Sequence, residues 1–267
     1  MAHIDCSFYS PSLKKNAHVI VFLPSMSADD FLEDRETHYY DKNKTYPVLY
    51  LLHGSYGDCL DWSLRTGIER YAQDKQIAVV MPSAENSSYI NMAHGEAYQM
   101  YVGEELPEFM AKMFPVSEAR EDTYIAGLSM GGYGAYRIGL EYPETFGYVA
   151  ALSGAMDMPS LLTSTEAHAQ KMPANYKAAV YKDCAHVAGT RDDLKELLKE
   201  QAEAGVTLPK LYMTCGTEDF IYPSNEAFYQ IACELGVTVT VTYEKFPGVH
   251  NWDFWDAHIQ DVLKWLP

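Results

Sequence analysis

Short apolar runs with strand character recur along this chain with longer helical patterns between them, and that alternation restricts the fold more than any other feature. The runs are "HVIVFLP" (18–24), "YPVLYLLHG" (46–54), "IAVVMP" (77–82), "TYIAGL" (123–128), "YVAAL" (148–152), "KLYMTCG" (210–216) and "VTVTYEKF" (239–246). Helical patterns fall around 67–74, 98–113, 130–142, 191–204, 224–235 and 252–265. Strand and helix in alternation imply an α/β architecture, a mostly parallel sheet covered on both faces. In the last helix, Trp252, Trp255, Ile259, Leu263 and Leu266 share one face. Residues 154–188, rich in Met, Ala and His, follow a strand without a direct crossover helix. They read as an insertion over the carboxyl edge of the sheet, where open α/β sheets bind ligands. A single domain of 267 residues, with 48% apolar content, is expected.

One strand-to-helix junction carries chemistry. Gly127-Leu128-Ser129-Met130-Gly131 joins "TYIA" to "MGGYGAYRIGLEY". A Gly-x-Ser-x-Gly match alone arises by chance in about one chain in ten of this length, given ordinary residue usage. Between a strand and a helix it describes a nucleophile elbow, in which a strained serine sits at a helix N-terminus and glycines two residues away let strand and helix pass closely. Ser129 is the candidate nucleophile, because the helix dipole there favours a developing negative charge.

A serine hydroxyl needs a base, and in such a fold the chain order is serine, acid, histidine. His250, in the loop between the last strand and the last helix, satisfies that order. His258 lies inside the helix, His168 and His186 lie in the insertion, and His3, His18, His38 and His94 precede the elbow. The acid is expected after "KLYMTCG", where Asp219 is preferred over Glu218; Asp157 and Asp183 in the insertion are poorer candidates. The oxyanion of a tetrahedral intermediate needs two donors. The N–H of Met130, just after the nucleophile, supplies one, and the N–H of Ser55, after His53-Gly54 in "LYLLHGSYG", supplies the other. His53 reads as a brace for that loop, with contact to substrate as the alternative. Tyr56, Trp62, Tyr89, Tyr98 and Trp252 lie in segments that should surround the elbow, where aromatics can stack on a sugar ring or a phenolic acyl group. Packing in the core is their competing role. Met156, Met158, Leu161, Leu162 and Met172 of the insertion are candidates for an acyl pocket or an oligomer interface, so a homo-oligomer stays open.

Twenty Lys and Arg against 37 Asp and Glu give a formal charge of −17, which disfavours nucleic acid and anionic membranes as partners. With no leader pattern and no long apolar run, a soluble cytoplasmic protein is expected. Five scattered cysteines without a CxxC pair read as reduced thiols, and Cys59 near the oxyanion loop reads as inert. No HExxH, GxGxxG or Walker-type loop occurs, so neither a metal nor a nucleotide cofactor is indicated.

Together "YPVLYLLHGSYGDCLDW", "TGIERYA", "IAVVMPS", "EELPEFM", "YIAGLSMGGYGAYRIGLEYPETF", "ALSG", "CGTED" and "PGVHNWDFWD" resemble the esterase D group of α/β-hydrolases, closest to bacterial tributyrin-type esterases. The likeness runs from about residue 4 to the C-terminus. It implies an α/β-hydrolase fold and a carboxylesterase without cofactor for short acyl esters. It also implies Ser129, Asp219 and His250 as the triad, with the N–H groups of Ser55 and Met130 as the oxyanion hole. Relatives in that group act on formyl thioesters, acetylated sugars or feruloylated polysaccharide. The S-formylglutathione hydrolases usually carry "SGLTC" where this chain has "HGSYG". Short-chain acyl esters, with acetyl esters of carbohydrates as one candidate among them, are the expected substrates; feruloyl esters, then formyl thioesters or acyl transfer, are the alternatives. The non-enzyme alternative is a binding protein on a hydrolase scaffold.

Overall fold

The computed structural model of the chain describes residues 1–165, 171–236 and 241–267. Among these, eight strands form one sheet: β1 (Ala2–Ser10), β2 (Lys15–Leu23), β3 (Val48–Leu52), β4 (Ala78–Pro82), β5 (Thr123–Leu128), β6 (Tyr148–Leu152), β7 (Lys210–Gly216) and β8 (Val241–Phe246). Their order is β1-β2-β4-β3-β5-β6-β7-β8. β2 runs antiparallel to both of its neighbours, and the remaining pairs are parallel. The mostly parallel sheet expected from the sequence is thus present. β1 was not anticipated, although Ala2, Ile4, Cys6 and Phe8 alternate with polar residues; it is an edge strand whose inward side chains are only half-buried. The first two residues of the run 239–246 lie outside the described residues.

The helices are α1 (Ala28–Leu32), α2 (Asp61–Arg65), α3 (Ile68–Lys75), α4 (Tyr98–Met100), α5 (Leu106–Met113), α6 (Met130–Glu141), α7 (Met158–Thr163), α8 (Ala174–Tyr181), α9 (Leu194–Glu203), α10 (Tyr222–Glu234) and α11 (Trp252–Trp265). The expected continuous helix over 98–113 widens into a π-helical stretch at Tyr101–Glu105. Pro107, just beyond it, has no N–H to donate to residue 103, and a widened turn is one way a helix accommodates that loss.

Alternation along the strands divides the core. Tyr50, Leu52, Ile125 and Val149 pack with Tyr133, Tyr136 and Leu140 of α6 and Leu197 of α9 on one face. Leu49, Leu51, Ala126 and Ala150 pack with Ile68 and Ala72 of α3 and Ile259 and Val262 of α11 on the other. Each large aliphatic side chain so buried contributes roughly 1.5–3 kcal/mol. On α11 the buried stripe is Phe254, Trp255, Ile259, Val262 and Leu263, while Trp252 is only half-buried.

The register makes a functional edge. Leu52 pairs with Gly127, Leu128 with Leu152, Leu152 with Thr214 and Gly216 with Phe246, so these strands end level. The loops after β3, β5, β7 and β8 leave the sheet together, at the edge where open α/β sheets bind ligands. The segment after β6 carries α7 and α8. Its α8 end is tied down by the Ala93 and His94 N–H groups, which donate to the carbonyls of Val180 (2.9 Å) and Ala179 (2.8 Å). His168 lies outside the described residues.

α6 approaches the sheet closely enough to exclude side chains at its start. A Cβ on Gly127 would stand 2.3 Å from the Gly131 carbonyl oxygen, and one on Gly131 would stand 2.5 Å from the carbonyl oxygens of both Leu52 and His53. These obstacles are backbone and cannot rotate aside. Gly131→Ala is therefore expected to cost about 3 kcal/mol or more, above the usual range for overpacking. Urea unfolding of the purified variant checks it.

Candidate active site

Ser129 sits between β5 and α6 with φ 53° and ψ −115°, a strained conformation for a residue with a side chain. Backbone hydrogen bonds hold it there. Its N–H donates to the Leu152 carbonyl (3.0 Å), and its own carbonyl accepts from the N–H groups of Tyr133 (3.1 Å) and Ala155 (3.0 Å). The strain turns the hydroxyl out of the strand-to-helix turn toward the loop after β8.

His250 meets it there, with Nε2 3.0 Å from the Ser129 Oγ. The other ring nitrogen, Nδ1, lies 2.8 Å from Oδ2 and 3.1 Å from Oδ1 of Asp219. A carboxylate only accepts, so Nδ1 carries the proton and Nε2 is free to accept from the serine hydroxyl. The Asp219 side chain has no exposed surface and His250 keeps 19% of its own. Oδ1 of Asp219 also accepts from the Ile221 N–H at 3.1 Å. Phe220 and Trp255 flank the imidazole at ring separations of 4.7 and 5.0 Å. The arrangement can take a proton from Ser129 and pass it to a group bound against His250.

The competing carboxylates are engaged elsewhere. Glu218 Oε2 accepts from the Gly248 N–H at 2.6 Å, bracing the loop that carries His250, and that hydrogen bond holds its carboxyl below the usual range. Asp157 caps α7 through the Ser160 N–H (3.2 Å) and pairs with Lys195 (2.8 Å). Asp183 accepts from the Ala185 N–H (3.0 Å) and pairs with His186 (2.8 Å).

The two residues whose N–H groups are expected to donate border the same space. Met130, the first residue of α6, has no intrahelical acceptor for its N–H, and Ser55 follows β3; both line the cavity that holds Ser129 and His250. The carbonyls just before Ser55 are clamped in succession. Trp62 Nε1 donates to Leu52 O (3.0 Å), the Tyr89 hydroxyl to His53 O (3.0 Å), and His53 Nδ1 to Gly54 O (2.7 Å). His53 Nε2 in turn accepts from the Ala84 N–H at 3.0 Å. Both ring nitrogens are therefore committed to a neutral imidazole, and burial holds its pKa below the ordinary value.

This corrects part of the sequence reading of the substrate contacts. His53 is buried and braces the loop, the first of its two expected roles, and Trp62, expected at the substrate, is buried and holds the same loop from behind. Tyr98 is buried as well, and its hydroxyl accepts from Lys15 Nζ at 3.0 Å, away from the cavity. Sequence places such rings in the right loops, but the direction of a ring is set by which backbone polar group it must satisfy. Tyr56 and Trp252 do line the cavity. Cys59 is 2% exposed, and burial pushes its thiol up although His18 Nδ1 stands 3.6 Å away.

The cavity measures about 560 Å³. Met158, Leu161, Leu162 and Met172, from the segment after β6, give it an apolar wall, whereas Met156 is buried in the core. Tyr56, Asp61, Asn251 and Trp252 line it as well. Among the described residues, no group of three or more His, Cys, Asp or Glu is assembled to hold a metal ion, and no helix is long and apolar enough to cross a membrane.

Comparison with known proteins points the same way. The family described as "Putative esterase" matches residues 10–266. An acetyl esterase of Caldicellulosiruptor saccharolyticus is 34% identical over 100% of this chain and 98% of its own. The substrate-bound structure of the fluorophosphonate-binding serine hydrolase F of Staphylococcus aureus superimposes with a TM-score of 0.87 at 30% identity, covering 99% of this chain and 98% of that one. An S-formylglutathione hydrolase from the same organism, without ligand, gives 0.84 at 30% identity with the same coverage.

The His53 clamp has a measurable signature. A buried imidazole whose pKa is depressed binds fewer protons folded than unfolded, so its contribution to stability is present above the unfolded value of about 6.5 and falls as pH drops below it. This group alone contributes a slope of at most about 1.4 kcal/mol per pH unit. His53→Ala leaves the Gly54 carbonyl and the Ala84 N–H unpaired and should cost about 2–5 kcal/mol at neutral pH. The pH dependence of urea unfolding between about 5 and 7 should be shallower in the variant than in the parent.

Proposed function

The chain belongs to the Esterase family, and from that premise we propose the residues and substrates through which it works as a serine carboxylesterase. Ser129 is the nucleophile. Its Oγ attacks the ester carbonyl as His250 Nε2 takes the hydroxyl proton, and the carbonyl π-electrons move onto oxygen. The N–H groups of Ser55 and Met130 donate to that oxyanion. Collapse of the tetrahedral intermediate expels the alkoxide, which receives the proton from His250 and leaves as the alcohol. Water then attacks the acyl-enzyme with His250 again as base, giving the carboxylic acid and restoring Ser129. Asp219 holds the imidazole in its tautomer and stabilises the imidazolium without accepting the proton.

The observation that carries this reading is the unbroken chain from Asp219 through His250 to Ser129 (2.8 and 3.0 Å), whose last two members line the cavity. The substrates are short-chain acyl esters, with acetyl groups on carbohydrate as the leading class. The acetyl esterase relative supports the acyl part. We assign the apolar wall, provided by the insertion at 154–188, to the acyl side. A second reading, hydrolysis of a formyl thioester, is favoured by the likeness to the S-formylglutathione hydrolase.

Ser129→Ala is expected to lower kcat by up to about 10⁶ with folding intact, and Asp219→Asn by about 10⁴. The test is kcat/KM on nitrophenyl acetate, butyrate and octanoate, with an acetylated xylo-oligosaccharide, methyl ferulate and S-formylglutathione in the same series. The acetate and the sugar acetate should lead. Preference for the thioester or the ferulate would replace the substrate assignment, and turnover that survives in pure Ser129→Ala would remove the mechanism.

A further inference from the structure

The cavity that holds Ser129 and His250 is also lined by a carboxylate that the esterase chemistry does not use. Asp61, the first residue of α2, lines the cavity with 22% of its side chain exposed. Its Oδ2 rests against Gly57 so closely that a Cβ there would stand 1.9 Å away. Among the described residues its one side-chain partner is Arg65 Nε at 3.5 Å, the outer limit of a hydrogen bond. Arg65 is thus ion-paired with Asp61 and at the same time lies over the Trp252 ring, 5.6 Å from its centroid. That indole is set edge-to-face against Trp62 (5.4 Å) and Trp255 (5.2 Å), both buried, so its plane is fixed. Tyr56, 65% exposed, stands at the same rim.

The chemistry at Ser129 says which half of an ester would lie here. The group that receives a proton from His250 is the leaving alcohol, and Asn251 and Trp252 directly follow His250. On the proposed reading the alcohol takes the side of the cavity lined by Trp252 and Asp61, and the acyl chain takes the side of the methionines and leucines. An indole with Arg65 over one of its faces, beside a carboxylate whose second oxygen has no side-chain donor among the described residues, fits one kind of alcohol: a ring with C–H groups on one side and hydroxyls at its rim. The indole takes the C–H face, and each carboxylate oxygen accepts from a hydroxyl in a charge-assisted hydrogen bond. The same carboxylate repels an alcohol or thiol that carries its own carboxylate.

We propose that Asp61 is a specificity-determining residue that selects neutral, polyhydroxylated leaving groups and rejects anionic ones, with Trp252 as the stacking platform. This rests on the serine-esterase reading of Ser129 and His250 and sets the alcohol side of the same site.

Asp61→Asn, nearly isosteric, is compared with the parent on acetylated xylobiose, acetylsalicylate and nitrophenyl acetate. Each preparation is read as a ratio of kcat/KM to that for nitrophenyl acetate, so a partly unfolded sample alters no ratio. The xylobiose ratio is expected to fall about ten-fold, largely in KM, as befits the loss of hydrogen bonds to a charged acceptor. The acetylsalicylate ratio is expected to rise about three- to ten-fold as the repulsion is removed. Both ratios staying within about two-fold of the parent would overturn the subsite and leave the serine mechanism standing. Turnover of all three esters by Ser129→Ala would overturn the mechanism, and the subsite with it.

Discussion

The site is built on a backbone-to-backbone contact. Gly131, in the first turn of α6, lies against the carbonyls of Leu52 and His53 with no room for a Cβ, and Gly127 lies equally close to Gly131. This contact brings the end of β5, the start of α6 and the loop after β3 within a few ångströms of one another. The strained conformation of Ser129 is tolerable because hydrogen bonds from both sides hold it, and those bonds require the helix to be seated where the glycines let it sit. A side chain at either glycine would move Ser129 and the loop carrying Ser55 apart.

The acid and the histidine come from the other half of the sheet. Asp219 follows β7 and His250 follows β8, and the parallel register between these strands brings the two loops level. A carboxyl group with no exposed surface has to have its oxygens satisfied, and His250 Nδ1 and the Ile221 N–H do so. Glu218, next in sequence, ties the same two loops together through Gly248. The imidazole is thus positioned by both residues of the Glu218-Asp219 pair, one holding the ring and the other the loop behind it.

Much of this is legible in the amino-acid sequence. Gly-x-Ser-x-Gly after a strand fixes a turn because few residue types survive that backbone path, and the chain order of Ser129, Asp219 and His250 follows from the order of the strands. The parallel strands of the sheet were visible because strands buried on both faces read as continuous apolar runs. β1 escaped because an edge strand with one half-buried face mixes His, Asp and Ser with its apolar residues. The bracing role of His53 is read from its place before Gly54, whereas the roles of Trp62 and Tyr98 escaped for a different reason. Each lies in or beside a loop near the site, but a ring with a polar atom turns toward whichever buried backbone group lacks a partner, and that group is known only after the fold has closed. Asp61 was equally silent: in sequence it is one acid among 37 in a chain of strongly negative charge.

The three clamped carbonyls before Ser55 bear on how charge would be stabilised at Ser129. The Gly54 carbonyl and the Ser55 N–H belong to one peptide plane, and no peptide bond in the described chain is cis. In a trans peptide the two groups point in opposite directions. By drawing the Gly54 oxygen inward, His53 fixes the bearing of the N–H on the far side. A water molecule facing a new negative charge must first rotate its dipole, and that reorganisation is part of the barrier in solution. Here the rotation is completed when the protein folds, and the neutral imidazole that enforces it adds no competing charge nearby.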